Sequence, residues 1–338
     1  MTQPMQVKWS VGVDLGGTKI EAVLMRRWAA NPSESSSLGF DVVRRERVPT
    51  ESQRGYEAIV TATRELIANV GADAPEPTSR LSVGVGMPGS VSAGTGLVKN
   101  SNTVCLNDRP FRQDLVRALG RPIAFDNDAN CFALAEATLG AAKAHTEGIV
   151  FGVIMGTGVG GGLVINGRVW DGPQHLAGEW GHHAVGPWWS PEQTEGLPEA
   201  TSHALGIRPT CYCGKTGCLE LYLSGTAAQQ DYARRAGRQL TLPQIVDRRS
   251  TDRAAAAAID ELLEAYGRGL ANLIDMLDPS AIVLGGGVSN LDFLLTEGRQ
   301  RVAKYVFNDE LTTPILRHAL GDSAGVLGAA LLPEPKSA

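Results

Sequence analysis

The sequence is poor in several features, and each narrows what the protein does. There is no excess of positive charge: 31 Lys and Arg stand against 36 Asp and Glu, a formal net charge of −5 over 338 residues. That balance argues against a surface built for the phosphate backbone of nucleic acid. The basic pairs Arg26-Arg27, Arg44-Arg45 and Arg248-Arg249 are scattered and are expected on solvated faces. No apolar run approaches the ~20 residues needed to cross a bilayer, and the polar opening Met1–Ser10 is unlike a signal peptide. Cysteine is sparse and odd in number, five in all, so a disulfide scaffold is not expected and a reducing cytoplasm is. There is also no low-complexity segment.

Hydrophobic residues make up 43% and charged residues 20%, as in a globular protein long enough for two domains. Glycine is abundant, with 40 residues against an average near ~7%, and its placement carries information. Val7–Val13 reads as a strand that ends at Asp14-Leu15-Gly16-Gly17-Thr18-Lys19, and Ile20–Met25 returns as its hairpin partner. A two-glycine turn is often only a turn. With Asp14, Thr18 and Lys19 beside it, the turn also resembles an anion cradle next to a carboxylate that could face a metal ion. A strand follows, which excludes a P-loop.

The same plan returns later. Ile149–Met155 reads as a strand, breaks at Gly156-Thr157-Gly158-Val159-Gly160-Gly161-Gly162, and resumes through Leu163–Ile165 to a turn at Asn166-Gly167. The repetition suggests an internal duplication. Matches to G-x-G-x-x-G occur here and at residues 84–89, but neither opens a helix, so dinucleotide binding is rejected twice. Helices are expected over Tyr56–Val70, Phe111–Leu119, Arg253–Leu263, Ala265–Leu277 and Ala324–Leu332, from apolar spacing and alanine content. A polar loop is expected over Asn31–Gly39 and an irregular insertion over 187–210. The strand Ala281–Leu284 runs into Gly285-Gly286-Gly287, a strand-to-glycine-to-helix pattern that suits a nucleoside or phosphate.

Two clusters carry the chemistry. Pro122–Phe125 delivers the chain into Asp126-Asn127-Asp128-Ala129-Asn130 at the start of an Ala- and Leu-rich helix. One such residue caps a helix; four within five positions exceed that need. Capping and a ligand-binding role at a strand's carboxyl end both stay open on this stretch alone. The second cluster is Cys211-Tyr212-Cys213-Gly214-Lys215-Thr216-Gly217-Cys218 with His182, three thiolates and an imidazole that suit tetrahedral Zn²⁺. Four protein ligands leave no open position, so the metal is expected to be structural. Cys105 and Cys131 lack such neighbours, and His145, His175, His183, His203 and His318 lack ligand partners at useful spacing.

These motifs, with Gly178-Glu179-Trp180-Gly181-His182 and the Leu219-Glu220 that follows Cys218, resemble in order those of the ROK family of sugar kinases and related repressors. Gly89-Ser90-Val91-Ser92, Val98–Asn102 and Leu106-Asn107 are similar to its fructokinase branch, some members of which also accept mannose. The resemblance implies an α/β chain of two actin-like ATPase (ribonuclease H-like) domains with a cleft between them. The expected division is 1–126, completed by a C-terminal helix 322–333, and 127–321, containing a zinc-binding segment 182–220. Repressor members carry an N-terminal helix-turn-helix, for which no room is expected before Val7.

The resemblance also assigns roles by position. Asp128 is implied as the general base, and Asn102, Asn127, Glu179, His182 and Glu220 as sugar ligands. Asp14, Gly16, Gly17, Thr18, Lys19, Gly156, Thr157, Gly158, Gly285, Gly286 and Gly287 are implied for ATP and Mg²⁺. His182, Cys211, Cys213 and Cys218 hold Zn²⁺ in this reading, with His182 facing the metal through one nitrogen and the sugar through the other. Asp126 and Asn130 would shape the turn. The implied activity is ATP-dependent phosphorylation of fructose to fructose 6-phosphate by a cytoplasmic homodimer that binds neither nucleic acid nor membrane. The alternatives are an N-acetylglucosamine kinase, a glucokinase or a mannokinase of the same frame, or a non-catalytic sugar-sensing regulator.

Overall fold

Strand β1 (Val7–Leu15) buries Val11, Val13 and Leu15 completely and forms a tight hairpin with β2 (Lys19–Ala29), Asp14 opposite Glu21 across the ladder. The structure is a computed structural model and describes residues 7–29, 38–184 and 209–333. Antiparallel β3 (Leu38–Pro49) adds an edge to β2. On the other side β4 (Ser82–Met87) and β7 (Ala124–Asn127) pair in parallel, giving the order β3-β2-β1-β4-β7. A small antiparallel pair, β5 (Ser90–Val91) and β6 (Val98–Lys99), follows β4.

A second five-stranded sheet repeats that arrangement. Strands β8 (Ile149–Met155), β9 (Val159–Ile165), β10 (Arg168–Val169), β11 (Ala281–Gly285) and β12 (Ile315–Arg317) lie in the order β10-β9-β8-β11-β12. In each sheet a strand, its glycine turn and its return are followed by a third strand on one side and two later strands on the other. This is the duplication expected from the repeated glycine hairpins.

Helices α1 (Tyr56–Gly71) and α2 (Phe111–Leu119) bury Ile59, Leu66, Ile67, Phe111 and Leu115 in the core that holds Val11, Val13 and Val85. Helix α9 (Ala324–Leu331) lies on β1 and β4, and its small residues let two backbones meet. A Cβ on Gly12 would come within 2.2 Å of the Val326 carbonyl, and one on Gly84 within 1.9 Å of the Ala329 carbonyl. Helix α3 (Asp128–Thr138) packs on α9, and its buried Glu136 accepts the Ala141, Ala319 and Leu320 amides at 2.8 to 3.1 Å.

The helical remainder is α4 (Glu220–Leu223), α5 (Gly225–Ala236), α6 (Leu242–Asp247), α7 (Arg253–Leu277) and α8 (Glu297–Tyr305). The two alanine-rich helices expected over 253–277 are one helix of 25 residues. Asp252 caps its start by accepting from Ala254 and Ala255, and mid-helix Glu264 accepts from Arg268 and Arg301 at 2.8 Å.

The chain divides into two compact units, Met1–Gly152 with Gly162–Gly178 and His318–Ala338, and Val153–Gly161 with Glu179–Arg317. The division passes through β8 and β9 rather than at residue 126, because α3 is packed on α9 and β4. The loop expected over Asn31–Gly39 lies outside the described residues up to 37, and Leu38 and Gly39 already belong to β3. The proline-rich insertion lies outside them up to residue 208, as does His203. Among the described residues no helix is long and apolar enough to cross a membrane.

Two basic pairs are not simply solvated. Glu21, only 1% exposed, pairs with Arg45 at 3.1 Å and Arg47 at 2.7 Å, while Arg249 pairs with Glu297 at 2.6 Å. A buried carboxylate is costly without such partners.

Candidate active site

Because β1, β4 and β7 run parallel, their carboxyl ends share one edge, and the register sets Asp14 beside Gly86 and Gly86 beside Asp126. Three chain reversals therefore meet there: the turn after Leu15, Pro88-Gly89 and the start of α3. In the first, the Gly16 amide donates to the Lys19 carbonyl at 2.9 Å. Buried Thr50 pins the same turn, its hydroxyl donating to the Gly16 carbonyl at 2.7 Å and its amide to the Thr18 carbonyl at 3.0 Å. Nothing in the sequence marked Thr50, which is 34 residues away.

A Cβ on Gly17 would lie 3.7 Å from Asn102 Oδ1, so the tip of the turn and this expected sugar ligand are neighbours. Asn107 shapes the Asn102 loop: its Oδ1 accepts the Ser101 amide and its Nδ2 donates to the Ser101 carbonyl, each at 2.9 Å.

In the acidic stretch Asn127, expected as a sugar ligand, also caps the helix, its Oδ1 accepting the Ala129 amide at 2.7 Å. Its Nδ2 donates to the Gly89 carbonyl at 2.9 Å, tying β7 to the β4 reversal. Gly89 sits at φ +85°, where a side chain would also strike the Lys99 carbonyl at 2.5 Å. Asp126 shapes the turn as expected, one oxygen accepting both the Asn127 amide at 2.8 Å and Asn130 Nδ2 at 2.7 Å. Asp128 stands in the first turn of α3, its Oδ1 within 2.8 Å of the Ala129 amide.

Burial, with Asp128 and Glu21 nearby, raises the Asp14 pKa to about 6 against the partial relief of Lys19. Burial raises Asp126 to about 6 as well, opposed by its two hydrogen bonds. The charge of Asp128 acts on Asp14, so a divalent cation near the two would relieve repulsion. Asp126, Asn127 and Asn130 also line a cavity of about 270 Å³ with Arg112 and His175. His175, expected to lack metal-ligand partners, is paired through Nδ1 with Asp171, a contact its i,i+4 spacing could have revealed.

In the other unit the second glycine turn closes with the Gly156 amide on the Gly158 carbonyl at 2.9 Å. Gly286, at φ +80°, lies against Met155, whose carbonyl a Cβ would meet at 2.3 Å. Gly285 ends β11, and Gly287 begins a 3₁₀ turn over Gly287–Asn290. The α-helix expected after these glycines is absent at this point, because i→i+3 bonds such as Leu291 to Val288 tighten the backbone.

The donor atoms of His182, Cys211, Cys213 and Cys218 all lie within 4.8 Å of one another. Cys211 Sγ is 3.6 Å from His182 Nδ1, and Cys213 Sγ is 3.6 Å from Cys218 Sγ. A tetrahedral ion with ~2.3 Å bonds to sulfur has ligand-to-ligand edges of about 3.8 Å, so the donor set fits Zn²⁺. Gly214 and Gly217, at φ +86° and +72°, allow the chain to fold this tightly. Burial raises the Cys211 thiol and pushes Cys218 up to about 12, whereas the Lys215 amide lowers Cys213. His182 Nε2 points to the Tyr212 hydroxyl at 3.1 Å, with Glu179 at 3.9 Å. Tyr212, the residue between the first two cysteines, was not singled out in the sequence.

Comparison with known proteins places this arrangement. The ROK family model matches residues 10–335, and the chain belongs to that family. It is similar to the N-acetyl-D-glucosamine kinase of Photobacterium profundum, 36% identical over 329 residues that cover 95% of this chain and 98% of the relative. The N-acetylgalactosamine kinase of a Shewanella species is 36% identical over 323 residues, 95% of each chain. Among solved structures, the ROK hexokinase of Thermus thermophilus superposes with a TM-score of 0.78 at 31% identity, covering 96% of this chain and 97% of that one. A ROK glucokinase of Streptomyces griseus, solved with glucose and AMPPNP, gives 0.68 at 26% identity over 95% and 98%. The fold is thus the two-domain actin-like ATPase fold, and the chain is a sugar kinase. The two sequence relatives are amino-sugar kinases rather than fructokinases.

Proposed function

We propose that the chain transfers the γ-phosphoryl group of ATP to a hexose hydroxyl, with D-fructose giving fructose 6-phosphate. What carries the proposal is the meeting of Asp14, the Gly16–Lys19 turn and Asp128 at one sheet edge, with Asn102 against Gly17. Phosphoryl transfer asks for in-line positioning and charge neutralisation more than covalent help. The amides and Lys19 of the first turn, with Gly156, Thr157 and Gly158 of the second, hold phosphate oxygens, and Gly285–Gly287 lies beside the nucleoside. Asp14 would hold Mg²⁺ nearby, which would neutralise developing charge.

Asp128 accepts the proton of the attacking hydroxyl. Asn102, Asn127, Glu179, His182 and Glu220 bind the sugar, and Asn127 also acts through the cap and the Gly89 link. His182 Nδ1 with Cys211, Cys213 and Cys218 would hold a structural Zn²⁺, with Nε2 on the side of Tyr212 and the sugar. We carry with this the homodimer that the resemblance implies, which sedimentation of the purified protein tests.

An ADP-release assay over fructose, mannose, glucose, N-acetylglucosamine and N-acetylgalactosamine decides the acceptor. Fructose as best substrate is the expected result. Turnover confined to an acetylated amino sugar would favour the second reading, which the 36% identity to the Photobacterium kinase supports. Sugar binding with no ADP release would make the protein a sensor.

A further inference from the structure

The second glycine turn is held from outside by groups of its own unit. Glu220 Oε2 accepts the Val159 amide at 2.9 Å, and a Cβ on Gly158 would approach the same oxygen within 2.5 Å. Trp180 Nε1 donates to the Gly160 carbonyl at 2.8 Å, and the Gly225 amide donates to the Gly156 carbonyl at 2.8 Å. Of these holders, only Glu220 grips the limb immediately after the Thr157–Gly158 tip with a charged group. It follows Cys218 by two residues, so the cysteine cluster and the turn are joined through one short stretch of backbone.

We propose that Glu220 is a positioning residue for the nucleotide: its carboxylate holds Val159 N–H and thereby aims the turn at the phosphates. This rests on the kinase reading but gives Glu220 work that does not involve the sugar. Without an acceptor at Val159 the turn loses a charge-assisted bond, and its amides are no longer preorganised before phosphate arrives. Gln can keep the bond through its amide oxygen; Ala cannot.

The test measures binding of ADP and of adenosine by calorimetry with no sugar present, in wild type, Glu220→Ala and Glu220→Gln. The expected result for Glu220→Ala is about tenfold weaker ADP binding, the scale of a lost charge-assisted hydrogen bond, with adenosine changed less than about twofold. Glu220→Gln should recover most of the ADP affinity. Exchange of the Val159 amide should quicken in Glu220→Ala and slow again in Glu220→Gln. Unchanged ADP affinity in Glu220→Ala, or equal weakening of ADP and adenosine, overturns the positioning role and leaves the kinase reading standing. A wild type that binds no ADP overturns both.

Discussion

The proposed function gives Asp128 and Asp14 different tasks, and substitution separates them. Asp128→Asn keeps the shape and removes the proton acceptor, so turnover should fall about 10²–10⁴-fold while sugar affinity, measured by calorimetry, changes little. Unchanged turnover would take Asp128 out of the proposed role. Asp14 has a folded pKa of about 6 against an ordinary 3.8, so between those values the native state binds more protons than the unfolded chain. Stability contributed by this group is therefore lost as pH rises from about 4 to 6 in Mg²⁺-free buffer. Asp14→Asn should flatten that part of the melting-temperature profile; an unaltered slope would refute the assignment. The Asp126 carboxyl, raised to about 6, acts in the same direction.

At the scale of elements, the close approach of α9 to β1 and β4 is made possible by missing side chains. Gly84→Ala would push a methyl group to 1.9 Å from the Ala329 carbonyl, and backbone on both sides must shift. A loss of about 1–3 kcal/mol is expected from urea unfolding, the usual cost of overpacking. Gly94→Ala, with nothing within 4 Å of the new carbon, should stay within about 0.5 kcal/mol. Helix boundaries were legible where alanine and leucine recur, as in α2, whose expected limits Phe111–Leu119 are those observed. The union of 253–263 with 265–277 was not, because Glu264 is anchored by arginines on α7 and α8.

For the whole molecule, the cysteine cluster makes a prediction that needs no activity. Metal analysis should find one Zn²⁺ per chain, and Cys218→Ser should lose it and lower the melting temperature. The donor atoms are already converged, and a bound ion stabilises whatever state presents them together. Protein purified without zinc yet melting as high as the metal-loaded form would refute a structural role.

By itself the sequence determined the hairpins with their glycine turns, the duplicated plan, the grouping of His182 with three cysteines and the family, since each depends on residues close in the chain or on motifs kept in order. Only the tertiary structure decided how the acidic stretch from 126 to 130 is used. Its surplus of polar groups is partly absorbed locally, by Asp126 gripping Asn130, and partly by the Gly89 carbonyl 38 residues away, a contact that local spacing does not specify. Thr50, and the hold of Glu220 on the second turn, stayed hidden for the same reason: the contacts span 34 and 61 residues, through hydrogen bonds that exist only in the folded chain.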